Sequence, residues 1–210
     1  MAYAVKEIFL TLQGEGMQAG ARAVFLRFAG CNLWSGREAD RATAVCGFCD
    51  TDFVGTDGPG GGKFADAGHL ADAVAACWGE GREWRLVVIT GGEPMLQLDV
   101  TLVDALHQRD FRIAVESNGT IPAVAGIDWL CISPKAGSDV VQRRGDELKL
   151  VWPQDGIDPA AIEQWDFAHF LVQPMDGTTR EASKAAAIVL AMERPRWRLT
   201  LQAHKLVGLP

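Results

Sequence analysis

Strand-like and helix-like segments alternate along most of this chain, and that alternation restricts the fold more than any other feature of the sequence. Residues 22–28 (RAVFLRF) read as a strand. Residues 66–78 read as a helix capped by Asp66, with Leu70, Val74, Cys77 and Trp78 on one face and Gly79 ending it. Strands are expected at 86–90, 112–116, 129–132 and 147–151, with a helix over 98–108. The last third continues with a short helix at 159–164, a strand at 167–172, a helix at 179–192 and a strand at 196–202. This succession predicts an α/β fold in which helices cover a mostly parallel sheet, either open or a partial (β/α) barrel. At 210 residues and 48% hydrophobic, the chain has room for one substantial core, so a single domain over 1–210 is expected.

Polar residues gather directly after the expected strands. They are Cys31, Gly91-Gly92-Glu93-Pro94, Ser117-Asn118-Gly119, Ser133-Pro134-Lys135, Gln173-Pro174-Met175-Asp176 and His204-Lys205. In parallel α/β folds the carboxyl ends of the strands form one rim where ligands bind, so these clusters are expected to converge on an open mouth. The competing reading is that loops are polar wherever they lie. The Gly-rich stretch 58–63 is not a phosphate-binding loop, because Asp57 and Phe64 stand where that motif needs Gly and Ser or Thr.

Charge and hydropathy exclude two classes of partner. With 27 Asp and Glu against 20 Lys and Arg, the net charge of -7 repels a phosphate backbone, so nucleic acid is not expected as a ligand. No apolar run approaches the roughly 20 residues of a membrane span. The N-terminal residues lack the regions of a signal peptide, so a cytoplasmic location is expected.

Five cysteines in a reducing compartment point to metal, catalysis or packing rather than to a disulfide framework. Cys46 and Cys49 form a C-x2-C pair, and Cys31 lies fourteen intervening residues upstream, after the first expected strand. Three thiolates suit a four-iron cubane that leaves one iron open to an outside ligand. A zinc site completed by His69 or a more distant residue is the alternative. Cys77, on an apolar helix face, and Cys131, inside a strand, read as core thiols. Arg27 is a charged residue within an apolar strand, and its counter-ion is expected to be either a ligand carboxylate or an internal Asp or Glu.

The run 30–36 (GCNLWSG), followed by 46–51 (CGFCDT), resembles the 7-carboxy-7-deazaguanine synthases of the radical S-adenosylmethionine (SAM) superfamily. Most of that superfamily carries C-x3-C-x2-C, and C-x14-C-x2-C is a variant within the deazaguanine synthases. Further matches follow in order: Gln13-Gly14-Glu15-Gly16, Gly91-Gly92-Glu93-Pro94, Ser133-Pro134-Lys135, and Gln202-Ala203-His204-Lys205 through Pro210. The resemblance implies a partial (β/α) barrel of the radical SAM type. Cys31, Cys46 and Cys49 would hold a [4Fe-4S] cluster, and Thr51 would offer its hydroxyl to Mg²⁺. SAM would be bound by Phe48, Asp50, Gly91, Gly92, Ser117, Ser133, Lys135, Gln173, Met175 and Asp176. The substrate would be bound by Gln13, Gly14, Glu15, Arg27, Thr90, His204 and Pro210, so that segments 1–20 and 203–210 contribute to its pocket.

The reaction implied is hydrogen abstraction from C6 of 6-carboxy-5,6,7,8-tetrahydropterin by a 5′-deoxyadenosyl radical. The ring then contracts, ammonia is lost, 7-carboxy-7-deazaguanine forms and SAM is regenerated, within queuosine-type 7-deazapurine biosynthesis. A flavodoxin- or ferredoxin-type electron donor and a homodimer are implied as well. Two rival readings are a glycyl-radical-enzyme activase, which C-x3-C-x2-C spacing would favour, and a non-enzymatic zinc module.

Overall fold

Residues 2–210 are described by the computed structural model, in which the alternating segments become one sheet and its helices. The strands are β1 (Tyr3–Leu12), β2 (Arg22–Phe28), β3 (Gly62–Phe64), β4 (Leu86–Gly91), β5 (Arg112–Ser117), β6 (Trp129–Ile132), β7 (Arg144–Trp152), β8 (Asp166–Pro174) and β9 (Trp197–Leu199). The α-helices are α1 (Ala67–Trp78), α2 (Val100–His107), α3 (Pro159–Ile162), α4 (Arg180–Glu193) and α5 (Ala203–Val207). Strand order is β3-β1-β2-β4-β5-β6-β7-β8-β9. From β2 through β9 every pairing is parallel, whereas β1 runs antiparallel to β2 and β3. The expected α/β class and mostly parallel sheet are therefore present.

Capping residues set the helix starts. The Asp66 carboxylate accepts from the His69 N–H at 2.9 Å, as expected of the first cap. Asp99 accepts from the Leu102 N–H at 2.9 Å, so α2 begins at Val100 and not at 98. Three elements were not expected: β1, the short edge strand β3 at the end of the Gly-rich stretch, and α5.

Period-2 alternation divides the sheet into two faces. Val24, Leu26, Phe28, Val87, Ile89, Ile113, Val115, Leu148, Leu150, Phe170 and Val172 pack into the main core with residues of α1, α2 and α4. Each large aliphatic side chain buried in this way contributes about 1.5–3 kcal/mol. On the opposite face, Ala23, Leu86, Val88 and Ala114 form a small apolar floor with Phe25 and Trp129. Nearer the carboxyl ends that face turns polar with Arg27, Thr90, Glu116, Lys149 and Gln173.

The open sheet curls enough for one loop to bridge its two sides. The N–H of Gly16 donates to Thr200 Oγ1 and that of Met17 to Glu147 Oε2, each at 3.0 Å. The Ala203 N–H donates to the Gly14 carbonyl at 2.9 Å, which joins the C-terminal segment to the loop after β1.

Candidate active site

A cavity of about 380 Å³ lies at the carboxyl ends of the parallel strands. Every residue assigned above to cluster, Mg²⁺, SAM or substrate lines it, although these residues come from eight loops and strand ends along the whole chain. His69 does not line it; it sits exposed at the start of α1 and pairs with Asp66 at 2.7 Å.

The cysteine loop between β2 and β3 is built as a small lobe. Trp34 packs edge-on against Phe53 with ring centroids 5.6 Å apart, and Arg41 stacks over the Trp34 ring at 4.1 Å. One Arg41 nitrogen donates to the carbonyls of Gly47 and Cys49, both at 3.0 Å, so it pins the C-x2-C turn. The fourteen residues between Cys31 and Cys46 thus supply the packing that positions the turn. The side chains of Cys46 and Cys49 act on each other: Cys49, with burial, pushes the Cys46 thiol up, and Cys46 draws the Cys49 thiol down to about 6, near the range where thiolate is present at neutral pH. Cys31 is raised by burial, while the Leu33 N–H points at its sulfur from 3.4 Å.

The strand ends opposite the lobe are tied together by Glu93, which is fully buried. Its carboxylate accepts from the N–H groups of Met95 (2.9 Å) and Asn118 (2.8 Å) and from Ser117 Oγ (2.8 Å), joining the end of β4 to the end of β5. Burial raises its affinity for a proton against the pull of these donors. Asn118 continues the chain of contacts to Asn32 at 3.0 Å, next to the first cysteine. Gly92 is required here: a Cβ would lie 2.5 Å from Cys31 Cβ and closer still to the Gly30 carbonyl oxygen. The Lys135 ammonium donates to the carbonyl and hydroxyl of Ser133, each at 2.7 Å, and burial lowers its pKa. Gln173 Oε1 is buried without a partner among the described residues, an acceptor facing a cavity that can supply a donor.

The other half of the cavity is a charged network. Lys149 Nζ donates to Glu15 Oε2 at 2.6 Å and to Glu116 Oε2 at 2.8 Å. Gln13 Nε2 donates to Glu116 Oε1 and Gln202 Nε2 to Glu15 Oε1, both at 2.9 Å. The Gln13 side-chain oxygen Oε1 accepts from the Glu15 N–H at 3.0 Å, which holds the turn before β2 in place. Arg27 Nε donates to Glu7 Oε1 at 2.7 Å, so the internal counter-ion exists. The remaining guanidinium nitrogens are still geometrically suited to an oxyanion. Lys205 on α5 bridges Asp50 at 2.6 Å and Asp176 at 2.7 Å, and Pro210 approaches Thr11.

Sequence reasoning missed Glu116, Lys149 and Arg41, and it gave Gln202, though part of a matching run, no role of its own. The signal that singled out Arg27, a charge inside an apolar strand, applies equally to Glu116 in β5 and to Lys149 in β7.

These donors fit the expected groups. Three free thiols on one packed lobe match a cluster with three protein ligands and an open iron. A zinc ion completed by His69 does not fit, because His69 lies exposed at the start of α1, outside the cavity that the three cysteines line. Thr51 lines the same cavity, and a hydroxyl is among the oxygen ligands that Mg²⁺ accepts.

No family model matches the chain. Relatives named 7-carboxy-7-deazaguanine synthase do. The one from Bordetella pertussis is 61% identical over 210 residues and the one from Caulobacter vibrioides 62% identical over 210 residues, each covering 100% of both chains. Among solved structures, the crystal structure of QueE from Escherichia coli has the same fold, with a TM-score of 0.70, 24% identity, and coverage of 97% of this chain and 95% of that one. With such identity running the full length of both partners, the chain belongs to the 7-carboxy-7-deazaguanine synthase family.

Proposed function

We propose that this enzyme converts 6-carboxy-5,6,7,8-tetrahydropterin to 7-carboxy-7-deazaguanine with loss of ammonia, as a step of 7-deazapurine (queuosine) biosynthesis. One observation carries the reading: three free thiols, an unpartnered acceptor, fixed carboxylates and an arginine all line a single cavity. Cys31, Cys46 and Cys49 would hold the [4Fe-4S] cluster, which would supply the electron for reductive cleavage of SAM.

The chain's own residues bind and orient. Phe48, between two cysteines, packs beside the adenine. Gly91 and Gly92 leave their backbone open to the SAM ammonium. Lys135 faces the SAM carboxylate, and Gln173, Ser117, Ser133, Asp50, Met175 and Asp176 complete its contacts. On the far side Arg27, steadied by Glu7, takes the pterin carboxylate, and Glu15 accepts from ring N–H groups. Gln13, Gly14, Thr90, His204 and the end of the chain at Pro210 enclose the ring and exclude water, so segments 1–20 and 203–210 belong to the substrate pocket of a single domain. Thr51 and the substrate carboxylate hold Mg²⁺. The same reading places a homodimer in the reducing cytoplasm with a flavodoxin- or ferredoxin-type donor. Among the described residues no helix is long and apolar enough to cross a membrane.

The test is iron, sulfide and turnover on anaerobically reconstituted protein. The parent should carry iron with inorganic sulfide and form the deazaguanine from the pterin. Cys31→Ala, Cys46→Ala and Cys49→Ala should each abolish SAM cleavage, while Cys77→Ala and Cys131→Ala keep the cluster. Zinc without sulfide, or parent-rate SAM cleavage by Cys31→Ala, would defeat the reading.

A further inference from the structure

Lys149 is 4% exposed and lies on the cavity face of β7, level with the carboxylates of Glu15 and Glu116. A buried ammonium is rarely kept without partners, and this one has two. Each carboxylate is also gripped at its other oxygen by an amide, Glu116 by Gln13 and Glu15 by Gln202. Both are therefore fixed in place and in rotation before any ligand arrives. A carboxylate offers about four lone-pair sites, so each still has acceptor capacity to spare.

The charge count gives the network its direction. Two carboxylates against one ammonium leave a net negative group on this side, while Arg27 and Lys135 stand elsewhere on the cavity wall. A ligand with an N–H-rich edge and a separate carboxylate is accepted in one orientation only. Without Lys149 two carboxylates would share one buried site, and one of them would take up a proton and become a donor. Its acceptor capacity toward a ring N–H would then be lost.

We propose that Lys149 is a positioning residue for the pterin: held between Glu15 and Glu116, it keeps both as ionised acceptors for the N–H groups of the substrate ring. This rests on the proposed function for the identity of the ligand, but the holding of the two charges stands on the geometry alone. Other titratable groups face the network: Cys131 from β6, Glu147 from β7 itself, Lys135 after β6, His204 of α5 and the Glu7–Arg27 pair of β1 and β2. None of them is hydrogen-bonded to both carboxylates as Lys149 is.

The experiment compares reconstituted parent, Lys149→Met and Lys149→Arg with 6-carboxy-5,6,7,8-tetrahydropterin as the probe. SAM affinity is measured alongside, and isotope-edited infrared spectra are taken with labelled glutamate. In Lys149→Met the KM for the pterin should rise about tenfold or more, with SAM affinity within about twofold of the parent. A protonated-carboxyl band should appear at neutral pH, and Lys149→Arg should remove that band and restore most of the turnover. A merely structural lysine would instead lose SAM affinity and pterin turnover together, with no such band and no rescue, and that result overturns the proposal. So does a parent-like KM in Lys149→Met. If the Met variant does not fold, the parent titrated from pH 8 to pH 5 carries the test. A carboxyl band there that Glu116→Gln or Glu15→Gln removes overturns the proposal, and its absence supports it. Failure of the parent to turn over the pterin would overturn the functional reading, and the infrared result would still decide whether Lys149 holds the two charges.

Discussion

Burial by itself pushes the Glu15 carboxyl up, yet the charge and hydrogen bond of Lys149, with the amide of Gln202, reverse this and hold it at about 2. The unfolded chain, whose carboxyl titrates near the ordinary 4.5, takes up this proton first as the pH falls. Stability contributed by Glu15 is therefore fully present above about 4.5 and is lost as the pH drops toward about 2. Glu93 behaves in the opposite sense, since its burial raises its affinity for a proton. Urea unfolding of parent and Glu15→Gln at pH 7, 5 and 3 separates the contribution of Glu15 from those of the other carboxylates. The parent should lead at pH 7 and at pH 5, and the gap should narrow at pH 3. A gap that stays constant across this range would mean that Glu15 is not held ionised by Lys149.

At the scale of elements, the parallel strands and their helices were legible because their apolar residues keep one period throughout. The strand β1 was not, although it is the longest in the sheet. Its register with β2 shifts between Val5 and Glu7, so Tyr3 and Val5 are buried before the shift and Ile8 after it. A bulge of this kind changes which parity faces the core, and a reading for strict alternation sees only an irregular segment. Lys6, placed at the shift, is buried and bonded to Asp52 and Asp57, which a sequence cannot reveal because those partners come from the distant cysteine loop. The mouth itself was legible from the polar clusters after each strand. Its charged centre was not, since Glu116 and Lys149 lie within strands and not after them. Helix α5 escaped notice because it is short and buries no residue. That lack of buried surface predicts the outcome of ending the chain at Gln202. The Lys205 ion pairs are half-exposed and screened by solvent, so the loss in stability should be about 1 kcal/mol, a fall of about 2–4 °C in Tm. Pterin turnover, by contrast, should fall at least about tenfold because the mouth opens to water. Calorimetry and turnover on the same preparation check this; intact turnover, or unfolding of the truncated chain, would show that α5 has another role.

Across the whole molecule, the fold gathers its chemistry at one end. Apolar residues fill the helix-facing core and the cavity floor, and among the described residues the buried Glu93, Lys149 and Gln173 all lie at the carboxyl ends of the strands. The three thiols and the fixed charges line this same mouth. In the proposed function, cofactor and substrate share this one cavity and react there. It is tested most directly by incubating the anaerobically reconstituted protein with reductant, SAM and a pterin carrying deuterium at C6, and following the label. Deazaguanine should form, with deuterium appearing in the recovered SAM or in 5′-deoxyadenosine. Deazaguanine formed without deuterium in either, or SAM cleaved while the pterin stays unchanged, would contradict it.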